Sequence, residues 1–273
     1  MINDINEITM SEYTVLRTTN NRKIVLPQDI TVNTINNILT RNIRYRKQGF
    51  NISFDMSKLD QAGINILHAI GFTRYCQTDS NTLYSNKIIE VLPITEITSN
   101  QQAAIAIANI YESINNSVSY SSAKSEYVSD IAVTLGEIIQ NIPIHSEGDG
   151  IIYIYATEEN KLLYLNCGVA DDGIGISNSL REYQPEYRHF WNDSFAITLA
   201  LQKGVSRFRK IDNGRGKGLS GLYERVQKWG GILHIRSGRG VFIYQNQDYN
   251  VLELEKSFSG VQIYLRVPVN NVQ

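Results

Sequence analysis

From Ser125 to Ile142 the chain reads SEYVSDIAVTLGEIIQNI, apolar at three-to-four spacing, and it then meets two strand-like runs. These are GIIYIYAT (Gly150 to Thr157) and KLLYLNCGVAD (Lys161 to Asp171), with Glu158 to Asn160 between them as a turn. A long amphipathic helix followed at once by two neighbouring strands restricts the chain to layered packing of helices on a sheet. The helix also carries Glu137, Asn141 and His145 at steps of four, so an acid, an amide and an imidazole share one stripe of an otherwise apolar element.

The chain around this unit has 273 residues, 42% hydrophobic and 19% charged, enough for one large domain or two modest ones. Its 26 basic and 27 acidic residues give a formal charge of -1, a balance that argues against nucleic acid or an acidic membrane as a partner. The two cysteines, Cys76 and Cys167, have no CxxC or metal-ligand spacing and read as small core residues of a reducing compartment. The opening MINDINEITM has acids and amides where a secretory signal has basic residues and an apolar core, so none is expected, and no apolar run approaches the ~20 residues of a membrane span. A cytoplasmic protein is therefore expected.

Ahead of residue 98 the pattern is βαβα. Arg22 to Pro27 reads as a strand, Thr31 to Gly49 as an amphipathic helix ended by glycine, Phe50 to Ser57 as a strand and Ala62 to Phe72 as a second helix. Pro93 and the polar TSNQQ mark the expected break, with Thr98 or Ser99 capping the next helix. Two domains follow from this, a small α/β domain over 1–98 and a larger one over 99–273. After residue 176 come a polar stretch, a helix-like DSFAITLALQKG, the glycine-rich NGRGKGLSGL, a helix LYERVQKW, and strands around GILHIRS, VFIYQ and VQIYLRVP.

Three segments of the larger part carry chemistry in order. The first is the helix face with Glu137 and Asn141. The second is VADDGIGI, where a strand runs into Asp171, Gly173 and Gly175; glycines two apart let the backbone turn and approach a ligand. The third is GRGKGLSGL, where Gly216, Gly218 and Gly221 lead into a helix whose free N–H groups suit phosphate.

Together these resemble the N box and the two glycine boxes of the GHKL ATPases, the histidine kinase-like or Bergerat-fold family that includes gyrase, histidine kinases and anti-sigma-factor kinases. The likeness covers Asp130 to Pro268, and the tail from Gly218 looks like that of nitrate-sensor kinases. The resemblance implies an α+β two-layer sandwich, with a mixed sheet and helices on one face. It implies ATP and Mg²⁺ as ligands, Asn141 as the Mg²⁺ ligand and Glu137 as the base that activates the nucleophile. Asp171 would then accept from the adenine amine, Gly173 and Gly175 would admit the nucleotide, and Gly216, Gly218 and Gly221 would wrap its phosphates beneath a lid over about 177–217.

Other groups read more plainly. His145 is expected to make a structural hydrogen bond, with contact to phosphate or a partner as the alternative, Asp172 to serve a turn, His68 to sit in a core, and Lys203 and Lys217 to be solvated as readily as phosphate-bound. Pro143 should kink or end the helix just after Asn141. The stretch 238–259 is longer than the usual hairpin, and its tyrosines and acids offer a partner surface. No phosphoacceptor histidine with a dimerisation helix pair is present, which argues against an autophosphorylating sensor kinase.

The segment NISFDMSKLDQAGINILHAI resembles a STAS domain, although Ala62 stands where such regulators carry a phosphorylatable hydroxyl; a plain small α/β domain is the alternative. The expected function is ATP-dependent regulation, in which binding and slow hydrolysis gate contact with a protein partner. A serine/threonine kinase of the anti-sigma type and a non-enzymatic nucleotide-sensing module remain open, as does a homodimer.

Overall fold

The computed structural model describes residues 13–17, 20–76, 88–118, 125–184, 187, 189, 191–205 and 218–269. It is an α/β structure with two sheets. Strands β1 (Thr14–Arg17), β2 (Asn21–Val25) and β3 (Asn51–Asp55) make a mixed sheet in the order β1-β2-β3, antiparallel then parallel. The parallel pair is joined through helix α1 (Val32–Lys47), whose first turn is capped by Thr31 Oγ1 accepting from the Thr34 N–H at 3.2 Å. Helix α2 (Gln61–Ala69) starts on Asp60, which accepts from the Gly63 N–H at 2.7 Å, and α3 (Phe72–Cys76) follows.

The second sheet has the order β4-β5-β6-β8-β7, from β4 (Ile88–Ile97), β5 (Gly150–Glu159), β6 (Leu162–Asp171), β7 (Ile232–Gln245) and β8 (Asp248–Pro268). A mixed sheet was the expectation here, but every pairing in it is antiparallel. For two of its four pairings the reason lies in the connections. Both β5–β6 and β7–β8 turn through two residues with positive φ, Asn160–Lys161 and Asn246–Gln247, a geometry that returns the chain antiparallel.

Strand β4 is the other departure. Pro93 does not end an element but lies inside this strand, at the sheet edge, where the register shifts between Leu92 and Thr95. An edge position needs no N–H on its outer side, so proline is tolerated. The expected boundary at residue 98 thus falls at the end of a strand that pairs with β5. Its expected helix cap is present, with Ser99 Oγ accepting from the Gln102 N–H at 3.2 Å.

Helices α4 (Asn100–Val118), α5 (Ser125–Asn141), α6 (Gly175–Arg181), α7 (Asp193–Ala200) and α8 (Gly218–Trp229) complete the described elements. Strand β5 explains the architecture residue by residue. Ile152, Ile154 and Ala156 join the core beneath α4, α5 and α8, whereas Ile151, Tyr153 and Tyr155 join a second core beneath α1 and α2. Helices therefore cover both faces of this sheet, not one. On the α1 side, Tyr153 lies flat on Gly168, where a side chain would collide with the ring, and its hydroxyl donates to Asn36 Oδ1 at 2.9 Å.

The long hairpin of β7 and β8 takes up the stretch 238–259. Val241 and Ile243 pack with Leu252 and Leu254, and Phe242 stacks on Tyr249 at 5.7 Å between ring centres. His68 is exposed on α2 rather than in a core, because its neighbours Leu67 and Ala69 take the buried face.

Candidate functional site

Between α5, α6, α8 and the β6–β8 part of the sheet lies a pocket of about 350 Å³, within the size range of small-molecule sites. Val169, Ile176, Leu180, Val261 and Ile263 give it apolar walls, while Glu137, Asn141, His145 and Asp171 bring polar groups into it.

Helix α5 places the first of these. It packs closely on α4 at Gly136, whose Cα faces Ile107, and this leaves the next residue, Glu137, half-buried at the pocket. Asn141 ends the helix. Beyond it the chain widens into a π-helical turn over Ile142–Ser146, which contains Pro143 and closes with Glu147 at φ 57°. Proline has no N–H to continue the α-helical ladder, so the expected break after Asn141 is met by a looser turn, a feature frequent at functional sites.

That turn builds the floor of the site. Ser146 Oγ donates to the Ile142 carbonyl at 2.7 Å and accepts from the Gly148 N–H at 3.0 Å. The Ser146 carbonyl accepts from the Ile174 N–H at 2.7 Å, across from Gly173. Any side chain at 173 would collide with that carbonyl, so this glycine is required by close approach. Gly175 has φ 78°, a left-handed conformation that lets α6 start directly after the loop. Ser237 Oγ then accepts from the Ile176 N–H at 2.8 Å and donates to the Gly260 carbonyl at 3.0 Å.

Asp171 sits at the end of β6 and is 6% exposed. Burial raises its carboxyl to about 7, helped by the neighbouring Asp172 charge and opposed by the Gly173 and Val261 N–H groups. The bond from Gly173 to Asp171 Oδ1 is 3.0 Å. Asp172 is the turn residue expected of it. Its Oδ1 accepts from the Asp149 N–H at 2.8 Å, and Lys47 of α1 reaches its Oδ2 at 3.2 Å and Asp149 at 2.9 Å. Arg44, also on α1, donates to the Asp172 carbonyl at 3.3 Å. The small α/β part thus grips the loop that follows Asp171 from behind.

Of the residues named from sequence, Glu137, Asn141, Asp171, Gly175 and Gly218 line one pocket. Gly218 opens α8 against Asn141, where a Cβ would stand 3.1 Å from the amide nitrogen. Gly173 does not line it but abuts Ser146, Gly221 is the fourth residue of α8, and Gly216 falls outside the described residues, as does Lys217. Within the expected lid, Leu180 of α6 and Ala196, Ile197 and Ala200 of α7 belong to the main core. Residues 206–217 lie outside the described residues. Lys203 is exposed and pairs with Glu224 at 2.9 Å.

Among the described residues no group of three or more His, Cys, Asp or Glu side chains gathers to hold a metal. A magnesium ion that shares its shell with phosphate and water needs only one or two protein oxygens, so the side-chain oxygen of Asn141 in the pocket fits that role. Sequence reasoning missed Ser146 and Ser237, which hold the loop through backbone atoms, and Arg225, which pairs with Glu137 at 3.3 Å. No described helix is long and apolar enough to cross a membrane. No protein-family model matches the chain, and no curated protein matches it significantly.

Proposed function

We propose that this pocket binds ATP with Mg²⁺ in the GHKL manner, and that binding and slow hydrolysis regulate contact with a protein partner. One observation carries the reading: a buried carboxyl, Asp171, at the base of an apolar pocket that also receives Glu137, Asn141 and the start of α8. Apolar walls suit a flat base, and a buried acceptor selects a ring that presents an amine there. Adenine has that amine in place of the carbonyl of guanine.

The remaining residues fit the rest of the ligand. The α8 N-terminus at Gly218 offers free N–H groups and a positive dipole end to phosphate oxygens. Asn141 would hold the magnesium, which when bound supplies positive charge to the phosphates. Glu137, one turn before Asn141, orients a water and takes its proton as the water oxygen bonds to the γ-phosphorus and the bond to the β–γ bridging oxygen breaks, releasing ADP and phosphate. The small α/β part, STAS-like in its strand, loop and helix, is the surface we assign to a partner.

The test is release of labelled phosphate from γ-labelled ATP with Mg²⁺, alongside binding of a non-hydrolysable ATP analogue. Glu137→Ala should bind the analogue and release no phosphate, and Asp171→Asn should lose binding. Binding of GTP as tight as ATP would sink the assignment of Asp171. Label transferred to a protein hydroxyl instead of water would turn the reading towards a kinase.

A further inference from the structure

Helices α5 and α8 lie side by side and run in opposite directions, and their contacts can be followed along both. Gly218 meets Asn141, Arg225 meets Glu137 and Asp130, and Tyr127 meets Trp229 edge-on at 5.9 Å between ring centres. Residues 218 and 225 are two turns apart on α8, as 130 and 137 are on α5, so each pair shares a face.

Arg225 is the charged group in the middle of this seam. Its Nε lies 3.3 Å from Asp130 Oδ1 and its Nη1 lies 3.3 Å from Glu137 Oε2. The Arg225 side chain is 28% exposed, that of Asp130 37% and that of Glu137 33%. A planar, always charged fork is suited to holding two carboxylates at once in a fixed relation, which an ammonium on a flexible stem does less well.

We propose that Arg225 is a positioning residue for Glu137: anchored by Asp130, it holds one oxygen of the glutamate and leaves the other for the attacking water. The inference rests on the ATPase reading of the pocket. A glutamate on a helix has three rotatable side-chain bonds, and a base must stand within hydrogen-bond reach of the proton it takes. A misplacement of about 1 Å can lower a rate by about a hundredfold. Fixing Oε2 from the side of α8 removes that freedom without occupying Oε1. The same helix begins at Gly218 beside Asn141, so one element sets both the phosphate end of the pocket and the aim of the base.

The experiment compares native protein, Glu137→Ala, Arg225→Met and Arg225→Lys in steady-state phosphate release and in binding of a non-hydrolysable ATP analogue. Methionine keeps the apolar stem that packs between the helices and removes the fork. The expected result is a roughly tenfold fall in kcat for Arg225→Met, with KM and analogue affinity within about twofold of native. Arg225→Lys should recover part of kcat, because one cation still reaches Glu137. Native kcat in Arg225→Met, with Glu137→Ala inactive, would overturn the positioning role and leave the ATPase reading standing. Equal losses of kcat and analogue affinity, or no recovery with lysine, would make Arg225 a structural tie between helices and overturn it too. No phosphate release by the native protein would remove both readings together.

Discussion

Replacing Asp171 by asparagine should make the ligand-free protein more stable at alkaline pH. The carboxyl ionises near its ordinary 3.8 in the unfolded chain but near about 7 in its buried position. Between those values the unfolded chain releases a proton that the folded protein keeps. The stability tied to the neutral acid is therefore complete below 3.8, declines as pH rises, and is gone above about 7. Integrated from pH 5 to pH 8 the loss is about 2.5 kcal/mol. For a chain of this size that corresponds to roughly 5–10 °C in Tm. Asparagine keeps an oxygen for the Gly173 N–H and carries no charge to bury, so it escapes the loss. Urea unfolding of native and Asp171→Asn protein at pH 5 and pH 8 gives the double difference, in which groups distant from residue 171 cancel. Equal pH dependence in the two proteins would refute the reasoning, since it would mean that the carboxylate is solvated or compensated in the folded state.

Two further outcomes are expected. ATP-analogue affinity should rise about tenfold between pH 6 and pH 8 in the native protein, as the ionised fraction of Asp171 rises in step; titration calorimetry at both values reads it, and a flat profile would exclude Asp171 as the acceptor. Gly173→Ala, whose added methyl collides with the Ser146 carbonyl, should destabilise by about 1–3 kcal/mol. A thermal melt within about 1 °C of native would show that the loop can yield there.

Much of this architecture is written in local pattern. The α5 face with Glu137 and Asn141, the β5 and β6 runs, and the break at Pro143 all follow from periodicity and from what proline lacks. Strand β4 did not, because Pro93 is a breaker in most contexts and only an edge position excuses it. The antiparallel order of the second sheet and the covering of its far face by α1 depend on pairings between distant segments, such as Tyr153 with Asn36, that no window of sequence contains. The site shows the same division. Residue types and spacing picked out Glu137, Asn141 and Asp171, but Arg225 lies 88 positions from Glu137 and Ser237 lies 61 from Ile176. Their roles come from packing alone. His68 was misjudged for a related reason: an apolar helix still has an outer face.

Strand β6 has a different partner on each side. Cys167 and Val169 belong to the core that walls the pocket, Ala170 belongs to the core shared with α1, and the strand ends in Asp171. Lys47 and Arg44 then hold the loop just beyond. A twist of this strand cannot be felt on one face alone. If a partner that moves α1 also shifts Asp171 and so changes the affinity of a ligand in the pocket, thermodynamic reciprocity requires that ligand to change the affinity for the partner by the same factor.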